Sequence, residues 1–340
     1  MSTLARQLIA HLPKTELHLH IEGTLEPAML LQLAQRNRIT LPYSDVGAVQ
    51  AAYEFDCLQD FLDLYYLGMS VLMHEQDFYD LTWAYLERVA ADSVHHVEIF
   101  FDPQAHMARG IAFETVLAGI TRALAEGREA FGISSRLIMC FLRHLPEEQA
   151  FDVLEQACRY KEHIFGVGLD SSERDFPPAN FSRVYARARQ EGFVPVAHAG
   201  EEGPAAYVQS ALDDLQVRRI DHGNHALDDA ALTARLVREQ IPLTMCPLSN
   251  LRLKVISDMR QNPVKRALAL GLLVTVNSDD PSYFGGYVND NYRALHEALG
   301  LSERELVTLA QNSFRAAFLD DSARQAGLDA IAACAGKLGA

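Results

Sequence analysis

Positive charge is scarce in this chain. Its 30 Lys and Arg residues face 45 Asp and Glu, a formal net charge of −15, and no long basic run offsets them. Too little cationic surface is available to displace the counterions of a nucleic-acid backbone, which excludes that class of partner. Long apolar runs are missing as well. Nothing approaches the roughly 18 residues that cross a bilayer, and no basic-then-apolar leader opens the chain, so a soluble, cytoplasmic protein without membrane association is expected. Cysteine is sparse and unpatterned: Cys57, Cys140, Cys158, Cys246 and Cys334 are odd in number and form no C-x-x-C pair. That argues against a disulfide framework and a thiolate zinc site alike, and predicts mostly buried, ordinary thiols. No Gly-rich phosphate loop follows an early strand, and there is no internal repeat, low-complexity tract or linker.

What the chain does contain is apolar material in short, interrupted runs. With 340 residues, 49% of them hydrophobic, it can bury one large core, and a single domain over residues 1–340 is expected. Runs at Thr15–His20, Val94–Phe101, Arg136–Leu142, Phe165–Leu169, Phe193–Ala197, Arg219–Asp221, Ile241–Met245 and Leu272–Val276 read as strands. Segments of helical spacing separate most of them: Phe113–Phe131, Glu147–His163, Phe181–Glu191, Asp228–Glu239 and Pro263–Leu270. Parallel βα units in that number predict an α/β fold, a closed (β/α)8 TIM barrel rather than a doubly wound open sheet. Between the first two runs the connection far exceeds an ordinary βα loop. Its segments Leu25–Arg36, Cys57–Val71 and Glu75–Ala91 predict a helical insertion overhanging the C-terminal mouth, either to close over a small substrate or to provide extra packing. From Ser302 onward the chain reads as one or two helices on the outside.

Chemistry-bearing side chains gather where the runs end. His18 and His20 are two apart in a β-type segment, so their side chains point the same way. Alone, such a pair among 13 histidines is weak. His198 closes the fifth run, however, and Asp279 follows the eighth. In a barrel the first and eighth strands are neighbours and the fifth faces them, so three imidazoles and a carboxylate can converge as a zinc site with a position left for water. Glu201 lies on the turn after His198. It is either a proton carrier raised by burial or a helix N-terminal glutamate favoured by the dipole. His222, ending the sixth run, is a base or charge partner for the water, a fifth ligand, or a plain barrel-top histidine. Asp280 either meets the substrate or belongs to a solvated acidic turn.

The ordered set His18-x-His20, His198-Ala-Gly-Glu201, Asp221-His222-Gly223 and Ser278-Asp279-Asp280-Pro281 resembles the adenosine/adenine deaminases, a branch of the metal-dependent amidohydrolase barrels. The resemblance runs from Pro13 to about Tyr292. It implies one zinc per chain held by His18, His20, His198 and Asp279, with Glu201 as proton donor, His222 assisting the attacking water and Asp280 hydrogen-bonded to a purine. The nucleoside-specific members read His-x-His-Leu-Asp-Gly and Leu-Ala-Gly-Asp-Glu, where this chain has His20-Ile21-Glu22-Gly23 and Leu169-Asp170-Ser171-Ser172-Glu173. These departures resemble the branch acting on the free base, with Glu22 expected to fill space a ribose would take and Ser171 to alter the wall beside the purine edge. The expected reaction is hydrolysis of adenine to hypoxanthine and ammonia in purine salvage. Its alternatives are the same reaction on adenosine and, more remotely, a phosphoesterase or lactonase. The last class usually needs two metals and a carboxylated lysine, and no lysine ends the fourth run. The other zinc deaminase design needs P-C-x-x-C, which is absent.

Overall fold

The computed structural model describes residues 2–340. Its strands are β1 (Lys14–His20), β2 (Val94–Phe101), β3 (Ser134–Leu142), β4 (Gly166–Asp170), β5 (Val194–Pro195), β6 (Ala197–Ala199), β7 (Ile220–His222), β8 (Leu243–Met245) and β9 (Val274–Val276). All pairings are parallel, β1 to β5 in one series and β6 to β9 in the other. Two seams join the series. Val196, between β5 and β6, donates its N–H to the Val167 carbonyl at 2.9 Å, so these two short strands form a single stave. On the far side Asp279 N–H donates to His18 O and His20 N–H to Asp279 O, both at 3.1 Å. The result is the expected eight-stave barrel, closed by the very segments that carry the metal-type residues.

The crossover helices Phe113–Phe131, Glu147–Ala157, Ser182–Glu191, Ala230–Glu239 and Val264–Ala269 lie where helical spacing predicted them. Between β6 and β7 there is in addition a helix Ala205–Ser210 that runs on into a wider turn, Ala211–Leu215. Among the described residues no helix is long and apolar enough to cross a membrane.

The insertion between β1 and β2 contains four α-helices, Pro27–Asn37, Val46–Ala51, Leu58–Met69 and Glu75–Ala90, after a single 3-10 turn at Glu22–Thr24. The sequence pattern missed Val46–Ala51, a short helix capped by the Asp45 carboxylate. Of these helices, Leu58–Met69 is the one that contributes residues to the lining of the cavity at the mouth. Glu75–Ala90 instead packs along Phe113–Phe131 as an ordinary outer helix; a Cβ at Gly119 would lie 2.3 Å from the Glu75 carbonyl, so glycine sets that close approach.

The tail also departs from expectation. Helices Glu303–Ala316 and Asp321–Leu338 lie outside, but the link between them reaches the barrel itself. Phe318 packs on the interior cluster Phe100, Ile138, Cys140 and Val196, its N–H donates to Glu98 Oε1 at 2.6 Å, and its ring meets Arg219 at 5.1 Å. Of the five cysteines only Cys140 and Cys246 are buried; the others are partly exposed.

Candidate active site

Strand ends position the donors. His18 and His20 leave β1, His198 lies in β6, and Asp279 follows β9; all four are buried. His18 Nε2 is 3.3 Å from Asp279 Oδ1, His20 Nε2 is 3.6 Å from the same oxygen and 3.1 Å from His198 Nε2. Tetrahedral zinc with bonds near 2.0–2.1 Å sets its donors about 3.3 Å apart, so these separations fit a single small cation. Burial pushes the His20 imidazole below its ordinary value, and His198 goes well below because the His18 and His222 rings also crowd it. Both therefore present lone pairs. Burial alone would raise Asp279, but the surrounding His18, His222 and His20 rings hold it well below the usual carboxylate range.

The tautomer of His18 follows from what lies beneath it. Thr244 Oγ1 donates to Asp221 Oδ1 at 3.0 Å, so it accepts from His18 Nδ1–H at 2.9 Å. That leaves His18 Nε2, a buried atom without a protein partner, facing Asp279. Asp221 in turn accepts from Arg219 Nε at 3.1 Å, and Arg219 pairs with buried Glu98. Such a backing fixes ring orientation and raises ligand basicity. The edge of Phe100 meets the His18 ring at 5.1 Å, packing the site from the barrel interior. A competing set, His18, His222, Cys246 and Asp279, is also compact. Burial pushes the Cys246 thiol well up, though, which disfavours the thiolate a metal takes, and the three-imidazole set needs no such cost.

Glu201 precedes the helix Ala205–Ser210 by several residues and is buried, so it is not a solvated helix-start glutamate. Burial first, then the Asp279 and Glu173 carboxylates, push its carboxyl well above the ordinary range. Its Oε2 lies 3.6 Å from His222 Nε2, which is 3.8 Å from Asp279 Oδ2. Burial and then His18 push His222 down to about 3. Asp280 is no solvated turn residue either. It is buried, lines the cavity and leaves Oδ1 without a partner. Gly23 is needed beneath it, because a Cβ there would lie 1.9 Å from Asp280 Oδ1. Ser171, His222 and Asp279 all have positive φ, at 74°, 64° and 64°. A non-glycine residue pays roughly 1–2 kcal/mol for that conformation, here at three points where a strand end turns a side chain toward the mouth.

Several contributors escaped the sequence reading. The Glu173 carboxylate accepts the N–H groups of Gly200, Glu201, Glu202 and Gly203 at 2.7, 3.0, 2.8 and 2.8 Å, clamping the loop that carries Glu201. Buried Arg143 donates to the His198 carbonyl at 2.7 Å and to the Phe176 carbonyl. Asp102 and Asp170 line the cavity. The rule that singled out His198 and Asp279, an acid/base residue closing an apolar run, applies to both and would have found them. Glu22 overturns its expectation. Its carboxylate does not line the cavity but accepts from His106 Nε2 at 2.9 Å and the Asp102 N–H at 3.1 Å. Ser171 does line it, its Oγ bridging Tyr66 OH and His144 Nδ1 at 3.1 and 2.8 Å.

Over these polar groups lies an apolar lid. Leu58, Phe61, Leu62 and Tyr65 recur at helical spacing on Leu58–Met69 and, with Tyr66, Leu253 and Phe284, line the apolar side of a cavity that still opens to solvent.

Comparison with known proteins agrees with this geometry. The family model described as Adenosine deaminase matches residues 13–334, reaching past the last strand into the C-terminal helices. Curated adenine deaminases from Acinetobacter baylyi and Sphingopyxis alaskensis are 57% and 59% identical to this chain, each alignment covering 96% of it and, respectively, 98% and 96% of the relative. The crystal structure of adenine deaminase from Arthrobacter aurescens superposes with a TM-score of 0.93 at 51% identity, covering 94% of this chain and 98% of that one. An amidohydrolase from Burkholderia ambifaria with bound zinc superposes with a TM-score of 0.91 at 27% identity, covering 100% of this chain and 96% of its own.

Proposed function

This chain belongs to the adenosine deaminase family, and we propose that it acts within that family as a single-domain adenine aminohydrolase, converting adenine and water to hypoxanthine and ammonia. The observation that carries this reading is the meeting of Glu201, His222 and Asp280 with the His18, His20, His198 and Asp279 donors under one apolar lid. The donor set suits one zinc ion per chain, which when bound supplies a water acidic enough to act as a nucleophile at neutral pH.

The protein's own groups supply the rest. Neutral His222, beside Glu201 and Asp279, accepts or steers the proton of the attacking water. Glu201, which keeps its proton at neutral pH, delivers it to N1 of the purine as oxygen adds at C6, so no charge builds up in the ring. His222 passes the proton taken from the water on to the C6 amine, the C6–N bond breaks and ammonia leaves, while the hydroxyl proton returns to Glu201 and hypoxanthine keeps the oxygen as its 6-oxo group. Asp280, also raised by burial and by neighbouring Asp279, donates to N7 and holds C6 at attack distance. Closure of the helix Leu58–Met69 over this centre excludes bulk water. Partly exposed free thiols at Cys57, Cys158 and Cys334 suit a reducing compartment, and cytoplasmic purine salvage is the setting we assign.

The test is ammonia release from adenine and from adenosine by zinc-loaded protein. Preference for adenine by about 10² or more in kcat/KM supports the free-base reading, and equal rates overturn it.

A further inference from the structure

The reading above leaves one edge of the substrate unassigned. With C6 at the metal donors, N1 at Glu201 and N7 at Asp280, the purine turns its N3/N9 edge away from β6 and β9. The arc of mouth that remains belongs to β2, β3 and β4, and two buried carboxylates stand there. Asp102 directly follows β2 and Asp170 ends β4; each is 2% exposed and each lines the cavity. Asp102 Oδ1 and both Asp170 oxygens are buried and accept from no N–H of the protein; burial first, then the facing Asp170 carboxylate, holds Asp102 well above the usual carboxylate range, so the pair as a whole retains an open acceptor. Asp102 Oδ2 accepts from Tyr65 OH at 3.3 Å, and Asp170 Oδ2 faces His20 Nδ1 at 3.5 Å without a hydrogen bond to it. A buried acceptor left empty is costly, so the missing donor is expected to arrive with the ligand.

We infer that the Asp102–Asp170 pair is the specificity device of the site, accepting the ring N–H that a free purine base has and a nucleoside lacks. This rests on the proposed function. In a nucleoside that N–H is replaced by a bond to a sugar carbon, which satisfies neither oxygen and presses carbon against carboxylate. The position of Glu22 explains how Asp102 is held there. Its carboxylate reaches the Asp102 N–H and His106, so Glu22 shapes substrate choice from behind Asp102 rather than by filling the sugar's space. A second cation in the compact set His20, Asp102 and Asp170 is the competing use of these oxygens. It is disfavoured because His20 presents the Nε2 lone pair to the His198 and Asp279 side, so the neutral ring carries its proton on Nδ1, 3.5 Å from Asp170 Oδ2, and has no lone pair there to ligate.

Zinc-loaded wild type, Asp102→Ala and Asp170→Ala are compared by calorimetric binding of hypoxanthine and 9-methylhypoxanthine, with metal content measured alongside. Wild type should prefer hypoxanthine by about 10² or more, since a site built to accept an N–H rejects the ligand lacking it. In a variant with the wild-type metal content the preference should shrink at least about tenfold. A wild-type preference under about tenfold, an unchanged ratio in the variants, or two ions in wild type falling to one overturns the inference. Ammonia release from adenine separates the two levels. Active wild type with an unmoved ratio defeats this inference alone; inactive wild type whose ratio moves defeats the proposed reaction and leaves the base-edge assignment standing.

Discussion

The floor and the lid of the cavity are built on opposite principles. In the floor, polar groups are locked in series: His18 on Thr244, Thr244 on Asp221, Asp221 on Arg219, Arg219 on Glu98, with Phe100 packed beneath. Its side chains hang from paired strand ends, and three site residues hold left-handed backbone conformations. The lid is mainly aromatic and aliphatic. Phe61 packs on Phe284 and Tyr65 at ring distances of 4.8 and 5.4 Å. Its polar ties to the mouth include Tyr66 to Ser171 at 3.1 Å and Ser172 Oγ donating to Gln59 Oε1 at 2.8 Å. Directional bonds resist displacement of a single atom, whereas apolar contact tolerates exchange of similar volumes. Substitutions in the floor should therefore damage the chemistry, and substitutions in the lid should change mainly access and binding.

The largest effect is expected where the floor holds its ion. His18→Ala and Asp279→Ala should each lose metal and activity together, to background; elemental analysis showing full retention in both would remove them from the ligand set. Next comes Glu201→Gln, expected to lower kcat by about 10²–10⁴ with the metal retained. The sign of its pH dependence follows from the direction of the shift. A raised carboxyl keeps its proton to higher pH than an ordinary glutamate and loses it as pH climbs through the raised value, so kcat/KM should fall on the alkaline side. His222, pushed down to about 3, should add no limb at neutral pH. If the Gln variant keeps the same alkaline fall, the proton belongs to another group.

A smaller effect tests the backing of the floor. Thr244→Val keeps the shape but leaves His18 Nδ1 without its acceptor, and metal affinity should drop by about 10–100-fold. Competition with a chelator measures this directly, and unchanged affinity would show that the Thr244 link does not orient the ring. The smallest effect belongs to the lid. Phe61→Leu should raise KM several-fold and leave kcat within about threefold, with a stability cost of roughly 1–1.5 kcal/mol by thermal melting. A kcat loss as deep as that of Glu201→Gln would erase the contrast between the two regions.

The same contrast explains what was legible in the sequence. Strand ends of the floor announce themselves, because an apolar run that stops at His or Asp is a local pattern, and His18, His20, His198, Glu201, His222, Asp279 and Asp280 were all visible that way. Asp102 obeys the same pattern with no motif beside it, and Asp170 stands in the segment Leu169–Glu173, where Ser171 drew the comparison. Thr244, Arg143 and Glu173 are ordinary residues in sequence and acquire a role only from partners 55 residues away for Arg143 with His198, or 226 for Thr244 with His18. Glu22 was visible and misplaced. Its extra methylene reaches His106 and the Asp102 amide, which are remote in sequence, rather than the cavity.

The sequence alone determined the number of barrel staves, the order of the metal-type residues along them and the helical character of the insertion, since all three are written in periodicity and in what closes each run. Only the tertiary structure decided that one inserted helix covers the mouth while its neighbour joins the outer ring, that Phe318 reaches the barrel interior, and that the Glu22 carboxylate lies behind Asp102. Local spacing sets which face of an element is apolar, but the partner that face or carboxylate finds depends on barrel closure, which brings distant strand ends within hydrogen-bonding reach.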